Sequence, residues 1–146
     1  MYSAAVNAHI RELIEQVMEY RDQGQWQKLE QLFTETPYID EEALNMEKPG
    51  VRAVANVTYG WRRLIRDLYY SVRHTLGAMT IERTGKKEVQ AETEVEARYY
   101  TMKDGQRHVY KMNGVYEYQF KKVAGRWKID SLRLKVFKKS LSPIGL

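Results

Sequence analysis

Apolar residues recur at three- and four-residue steps near the start of the chain. Val6, Ile10, Leu13, Ile14 and Val17 form one stripe, and Arg11, Glu12, Glu15, Gln16 and Glu19 fill the opposite face. That spacing predicts an amphipathic helix. Gly24 ends it, as a glycine just past the last turn commonly does. Trp26, Leu29, Leu32 and Phe33 predict a second, shorter helix. No period holds from Thr34 to Gly50, where Pro37, the acidic run Asp40-Glu41-Glu42 and Pro49-Gly50 mark turns. That stretch has room for one short strand near Tyr38 and Ile39. Val57, Trp61, Leu64, Ile65, Leu68 and Val72 predict a third helix, with Arg62, Arg63, Arg66 and Asp67 off its apolar face.

From about Arg73 the period changes to two. Val89, Ala91, Thr93, Val95, Ala97 and Tyr99 alternate with Gln90, Glu92, Glu94, Glu96 and Arg98. A second alternation runs through His108, Tyr110, Met112, Tyr116, Tyr118 and Phe120. Turn signals stand at Thr84-Gly85, Asp104-Gly105 and Ala124-Gly125. Four long strands joined in an antiparallel meander follow. Strands of this length exceed the usual five or six residues and must twist and coil, so the sheet curls. The expected architecture is α+β in one domain over residues 1–146. Three helices come first, and a cone-shaped antiparallel sheet of four long strands, plus one or two short ones, wraps around them.

Composition narrows the class. The 146 residues are 43% hydrophobic and 12% aromatic, which excludes a chain too polar to fold. No apolar run approaches a membrane span, and no charged stretch followed by an apolar run opens the chain. Cysteine is absent, which removes disulfides, thiol catalysis and cysteine metal sites. A cytoplasmic protein is expected. The net charge of +5 is unevenly spread. Residues 1–50 carry four basic and ten acidic side chains, and residues 51–146 carry twenty and nine. The late basic cluster includes Lys121, Lys122, Arg126, Lys128, Arg133 and Lys135. No nucleic-acid motif accompanies it, so a solvated face is expected rather than a nucleic-acid surface. Three isolated histidines show no metal spacing. There is no glycine-rich phosphate loop and no Gly-x-Ser-x-Gly elbow. The aromatic set is unusual, with 11 tyrosines against 3 phenylalanines. Hydroxyl-bearing rings point to a wet pocket or an interface.

Three strings carry a family resemblance. One is Asp22-Gln23-Gly24-Gln25-Trp26, followed by Leu29, Leu32 and Phe33. Another is Arg73-His74-Thr75-Leu76-Gly77. The last is Gly114-Val115-Tyr116-Glu117-Tyr118-Gln119-Phe120 with Gly125-Arg126-Trp127-Lys128-Ile129. In this order the chain resembles the SnoaL-like group of the nuclear-transport-factor-like superfamily, cone-shaped α+β barrels. That group includes polyketide cyclases, scytalone dehydratase, bile-acid dehydratase and small subunits of ring-hydroxylating dioxygenases. The resemblance implies an aspartate after helix one paired with a histidine opening the first long strand, here Asp22 and His74. The family's accompanying tyrosine, five residues before the aspartate, is Val17 in this chain, and Tyr20 lies one helical turn on. The resemblance also implies a homodimer joined through outer sheet faces.

These residues suit proton abstraction without a cofactor. Imidazole titrates near neutrality, so His74 can take a proton α to a carbonyl, and Asp22 can fix its tautomer. Tyrosine hydroxyls suit the carbonyl oxygen: Tyr99, Tyr116 and Tyr118 are candidates, with Tyr20 nearby. Tyr59 and Trp61 are candidate walls of the pocket. The reaction would be loss of water, a double-bond shift or ring closure on a small apolar or aromatic carbonyl compound. The alternative is a ligand-binding or assembly module without chemistry, including an accessory subunit of a ring-hydroxylating oxygenase.

Overall fold

The structure, a computed structural model, describes residues 4–144. The first stripe folds as α1 (Ala4–Gln23), burying Ile10, Leu13, Ile14, Val17 and Met18. α2 (Trp26–Glu30) is one short turn beyond it. Phe33, expected on that helix, is instead the first residue of β1 (Phe33–Asp40). A one-turn α3 (Glu42–Asn45) and a two-residue β2 (Gly50–Val51) follow. α4 spans Val54–Asp67. Val72, expected at the end of that helix, belongs to β3 (Ser71–Gly85). The helix stops earlier because strand backbone takes over: Thr101 Oγ1 donates to the Leu68 carbonyl at 2.7 Å, and the Tyr70 N–H donates to the Tyr100 carbonyl at 2.9 Å.

The remaining long strands are β4 (Glu88–Lys103), β5 (Gln106–Val123) and β6 (Arg126–Pro143). Two of the three turns fall at the expected places. The expected Thr84-Gly85 turn is instead the end of β3, and the chain reverses one step later at Lys86-Lys87. Asp104-Gly105 and Ala124-Gly125 all have positive φ, as the tight two-residue hairpin turn requires. Among the described residues the sheet has six strands in the order β2-β1-β6-β5-β4-β3. It is mixed rather than wholly antiparallel, because β1 runs parallel to β6. Pro37 lies inside β1 without a donor, and the β1–β6 register shifts between Phe33 and Tyr38. The sheet stays open, with β2 and β3 at its two edges.

Bulges supply the curl. The pairing shifts at Gly77-Ala78 in β3, and at Asp130 and Phe137 in β6. Each shift changes which parity faces inward. Trp127 and Ile129 are buried before the Asp130 bulge, and Leu132 and Leu134 after it. At Gly114 the strands approach so closely that a Cβ would lie 2.1 Å from the Lys135 carbonyl oxygen. Glycine alone fits there. α1 packs along β3 and fills the concave side with α2 and α4. No described helix is long and apolar enough to cross a membrane.

Candidate active site

The last turn of α1 places two adjacent charged residues differently. Asp22 turns toward the edge strand β3, and Arg21 turns into the core. The His74 backbone N–H donates to Asp22 Oδ2 at 2.8 Å, while its ring Nδ1 lies 2.5 Å from Asp22 Oδ1. Both carboxylate oxygens are therefore committed to one residue. The His74 side chain is 0% exposed and that of Asp22 21%. The Nε2 atom of His74 is buried and has no hydrogen-bond partner among the described residues. The Tyr99 ring stands edge-on to the imidazole, with centroids 6.0 Å apart.

This environment sets the protonation state. Burial pushes the His74 pKa below the ordinary value of 6.5, and the Arg21 charge adds to that. The hydrogen bond to Asp22 opposes the shift without cancelling it. Near neutral pH the ring is neutral. With Nδ1–H donating to the carboxylate, the lone pair sits on Nε2. A neutral imidazole with a free, buried nitrogen is a base in waiting.

A second polar cluster lies beside the first, and the sequence did not disclose it. Arg21 and Glu41 are buried, 4% and 2% exposed. Arg21 Nη1 and Nη2 donate to Glu41 Oε2 and Oε1 at 2.9 and 3.2 Å. Tyr116 Oη donates to Glu41 Oε2 at 2.6 Å, and Trp61 Nε1 donates to Oε1 at 2.5 Å. The guanidinium stacks 4.0 Å above the Trp61 ring. Burial alone would raise the Glu41 pKa, but the Arg21 charge and three donors hold it below the usual carboxylate range. Both partners remain charged. The network joins α1, α4, β5 and the segment after β1.

The remaining candidates divide. Tyr99, Tyr116 and Tyr118 all point into the cone and are essentially inaccessible. The hydroxyls of Tyr99 and Tyr118 are buried without partners, and burial raises both pKa values, so they stay protonated donors. Trp61 is buried, but its indole N–H is taken by Glu41. Tyr59 lies at the surface, 54% exposed, with Arg63 across its ring. The register explains this, since Tyr59 lies two residues, about 200°, from Trp61 around α4. Tyr20 lines a surface groove whose walls include neither Asp22 nor His74. Val17, at the position expected for a family tyrosine, is 0% exposed in the core. Rings continue outward from the site, with Tyr99 5.0 Å from Tyr69 and 6.1 Å from the half-buried Tyr110. Among the described residues no His, Asp or Glu cluster could hold a metal ion.

Comparison with known proteins decides the family. The SnoaL-like domain matches residues 3–133. The chain belongs to the SnoaL-like domain family. No curated protein matches its sequence. Solved structures share the fold of this SnoaL-like domain at low identity. A Kribbella flavida protein superposes with a TM-score of 0.82 at 16% identity, covering 92% of each chain. A protein provisionally assigned as a scytalone dehydratase, from Novosphingobium aromaticivorans, gives 0.76 at 16% identity, covering 93% of this chain and 87% of that one. A type 2 hexachlorocyclohexane dehydrochlorinase gives 0.73 at 16% identity, covering 97% and 90%.

A signal for Arg21 was present in the sequence. Ile10, Ile14, Val17 and Arg21 continue one helical stripe, so the arginine occupies an inward position. Glu41 carried no such signal, because it sits in an acidic run that reads as a turn.

Proposed function

We propose that this SnoaL-like domain is a small-molecule pocket protein that removes a proton from carbon without a cofactor. His74 is the base, Asp22 its orienting partner, and Tyr99 the donor to the carbonyl oxygen. One observation carries the reading: a fully buried, unpartnered Nε2 on a ring whose other nitrogen is held by a carboxylate. In the proposed step Nε2 takes the proton α to a carbonyl. The C–H bonding pair becomes the enolate, whose charge rests on the oxygen facing the tyrosine hydroxyl. The imidazolium, stabilised by Asp22, then returns its proton to a leaving hydroxyl or to another carbon. The first outcome is dehydration and the second a double-bond shift. The names carried by similar folds, a scytalone dehydratase and a dehydrochlorinase, both describe eliminations and support this class. The aromatic rings that pack beside His74, Tyr99 and then Tyr69, favour a small apolar or aromatic carbonyl substrate.

The test needs no knowledge of the natural substrate. The protein is incubated with an aryl ketone such as tetralone in heavy water, and deuterium uptake at the α-carbon is followed by NMR. Protein-dependent uptake that is lost with His74→Ala supports the reading. Uptake unchanged by that substitution contradicts it.

A second reading, ligand binding or assembly without turnover, draws on the buried Val17. It predicts saturable binding of small aromatic compounds with no exchange. In either case we propose a homodimer through the outer sheet face. That face carries acidic Glu92 and Glu94 on β4 and basic Arg133 and Lys135 on β6, separated by Glu117 and Val115 of β5, with Phe137 protruding at 72% exposure. A two-fold axis would lay each row against its opposite. Light scattering should give twice the 17.3 kDa chain mass at micromolar concentration. A monomer there would refute the dimer.

A further inference from the structure

A surface groove lies away from His74, where α1 and α2 meet the hairpin between β5 and β6. Its volume is about 620 Å³. Its floor is apolar and aromatic: Leu13 and Trp127, both nearly buried, with the half-buried Leu32 and Tyr20. Four cations surround that floor: Lys28, Lys122, Arg126 and Lys128. Among the described residues no carboxylate lines it. Lys28 sits over the Tyr20 ring at 5.8 Å, and Lys122 over the Trp127 ring at 5.7 Å. Lys128 donates to the Gln31 carbonyl. Among the described residues none of the four forms an ion pair with Asp or Glu, whereas the neighbouring Lys121 pairs with Asp130.

We propose that this groove is a binding site for a small aryl carboxylate. The flat apolar body would lie on Leu13, Leu32 and the accessible edges of Tyr20 and Trp127. The carboxylate would take hydrogen bonds from the surrounding lysines and Arg126, which leave the aromatic rings to meet it. Three features favour this occupant. The volume is that of a single drug-sized molecule. An apolar floor rewards a planar hydrocarbon surface. Four cations with no local counter-charge reward an anion and discriminate against the neutral analogue. The same site accounts for part of the late basic cluster and for Tyr20, neither of which the chemistry at His74 uses.

The probe is naphthoate, with naphthalenemethanol as the neutral ring and acetate as the anion without a ring. Binding is read from the indole N–H resonances of the tryptophans and the backbone amides of residues 125–128. Naphthoate should shift Trp127 and those amides saturably and leave Trp61 in place. The alcohol and acetate should do so far more weakly. Lys28→Glu with Lys128→Glu, two surface changes, should weaken naphthoate by about tenfold. His74→Ala should leave its affinity unchanged. Four results would overturn the proposal: equal binding of the alcohol, indifference to the double charge reversal, shifts at Trp61 or His74 instead of Trp127, or binding of a single-stranded oligonucleotide but not of naphthoate. The last would assign the groove to nucleic acid.

Discussion

Replacing His74 with alanine lowers α-proton exchange from an aryl ketone by about 10²–10⁴-fold, the usual contribution of a positioned base. That corresponds to about 3–5 kcal/mol of transition-state stabilisation at 1.36 kcal/mol per decade. The size follows from how completely the ring is prepared. Its side chain is 0% exposed, and Nδ1 is held by Asp22 at 2.5 Å. No reorganisation is needed before Nε2 meets a proton. Asp22→Asn keeps the shape but removes the charge that stabilises the imidazolium, and the amide can also turn the ring to the other tautomer. Its loss should reach about 10² or more by the same logic. The KM for the ketone should change little in either variant, because neither side chain supplies the apolar binding surface. A binding protein without chemistry would show no exchange to lose.

Glu41→Ala should destabilise the fold by about 3–5 kcal/mol, measured by denaturant unfolding. Glu41 is the shared acceptor for Arg21, Tyr116 and Trp61. Removing it leaves a buried guanidinium uncompensated and two donors unpaired, which costs far more than the pair itself contributes. Glu41→Gln should also be damaging, since it preserves volume but not charge. Arg21→Met combined with Glu41→Leu should be milder than either single loss of a partner. The double variant removes both charges together and fills the space with apolar atoms. A double variant as unstable as the two singles added together would show that the network acts through packing alone.

The helical stripes, the change to a period of two and the turn dipeptides announced α1, α4 and the β3–β6 meander because those signals are local. Segments whose structure depends on distant partners were less legible. β1 joins the sheet in parallel beside β6, a strand almost a hundred residues away, and Pro37 hides its pattern. The bulges at Gly77-Ala78, Asp130 and Phe137 change the inward parity; Gly77 is a local sign of the first, and no local residue type marks the other two. The tyrosine excess pointed to a wet pocket or an interface; the rings of Tyr99, Tyr116 and Tyr118 turn inward, whereas Tyr59 and Tyr70 are exposed. The pairing of Asp22 with His74 came from resemblance, because 52 residues separate them in the chain. Arg21 was visible on the apolar stripe of α1, but its partner Glu41 was not. The sequence of an acidic turn gives no sign that one of its three carboxylates is buried.

The central claim is that His74 is held as a neutral base with Nε2 free. Nitrogen-edited NMR of the imidazole in the 146-residue protein, titrated with acid, tests it directly. The Nδ1–H form is expected near neutral pH, with a midpoint below the ordinary 6.5 because burial disfavours the charged ring. The same titration in Asp22→Asn should move the midpoint lower still, since the hydrogen bond and charge of Asp22 raise it. An Nε2–H tautomer, or a midpoint at or above 6.5, would contradict the account.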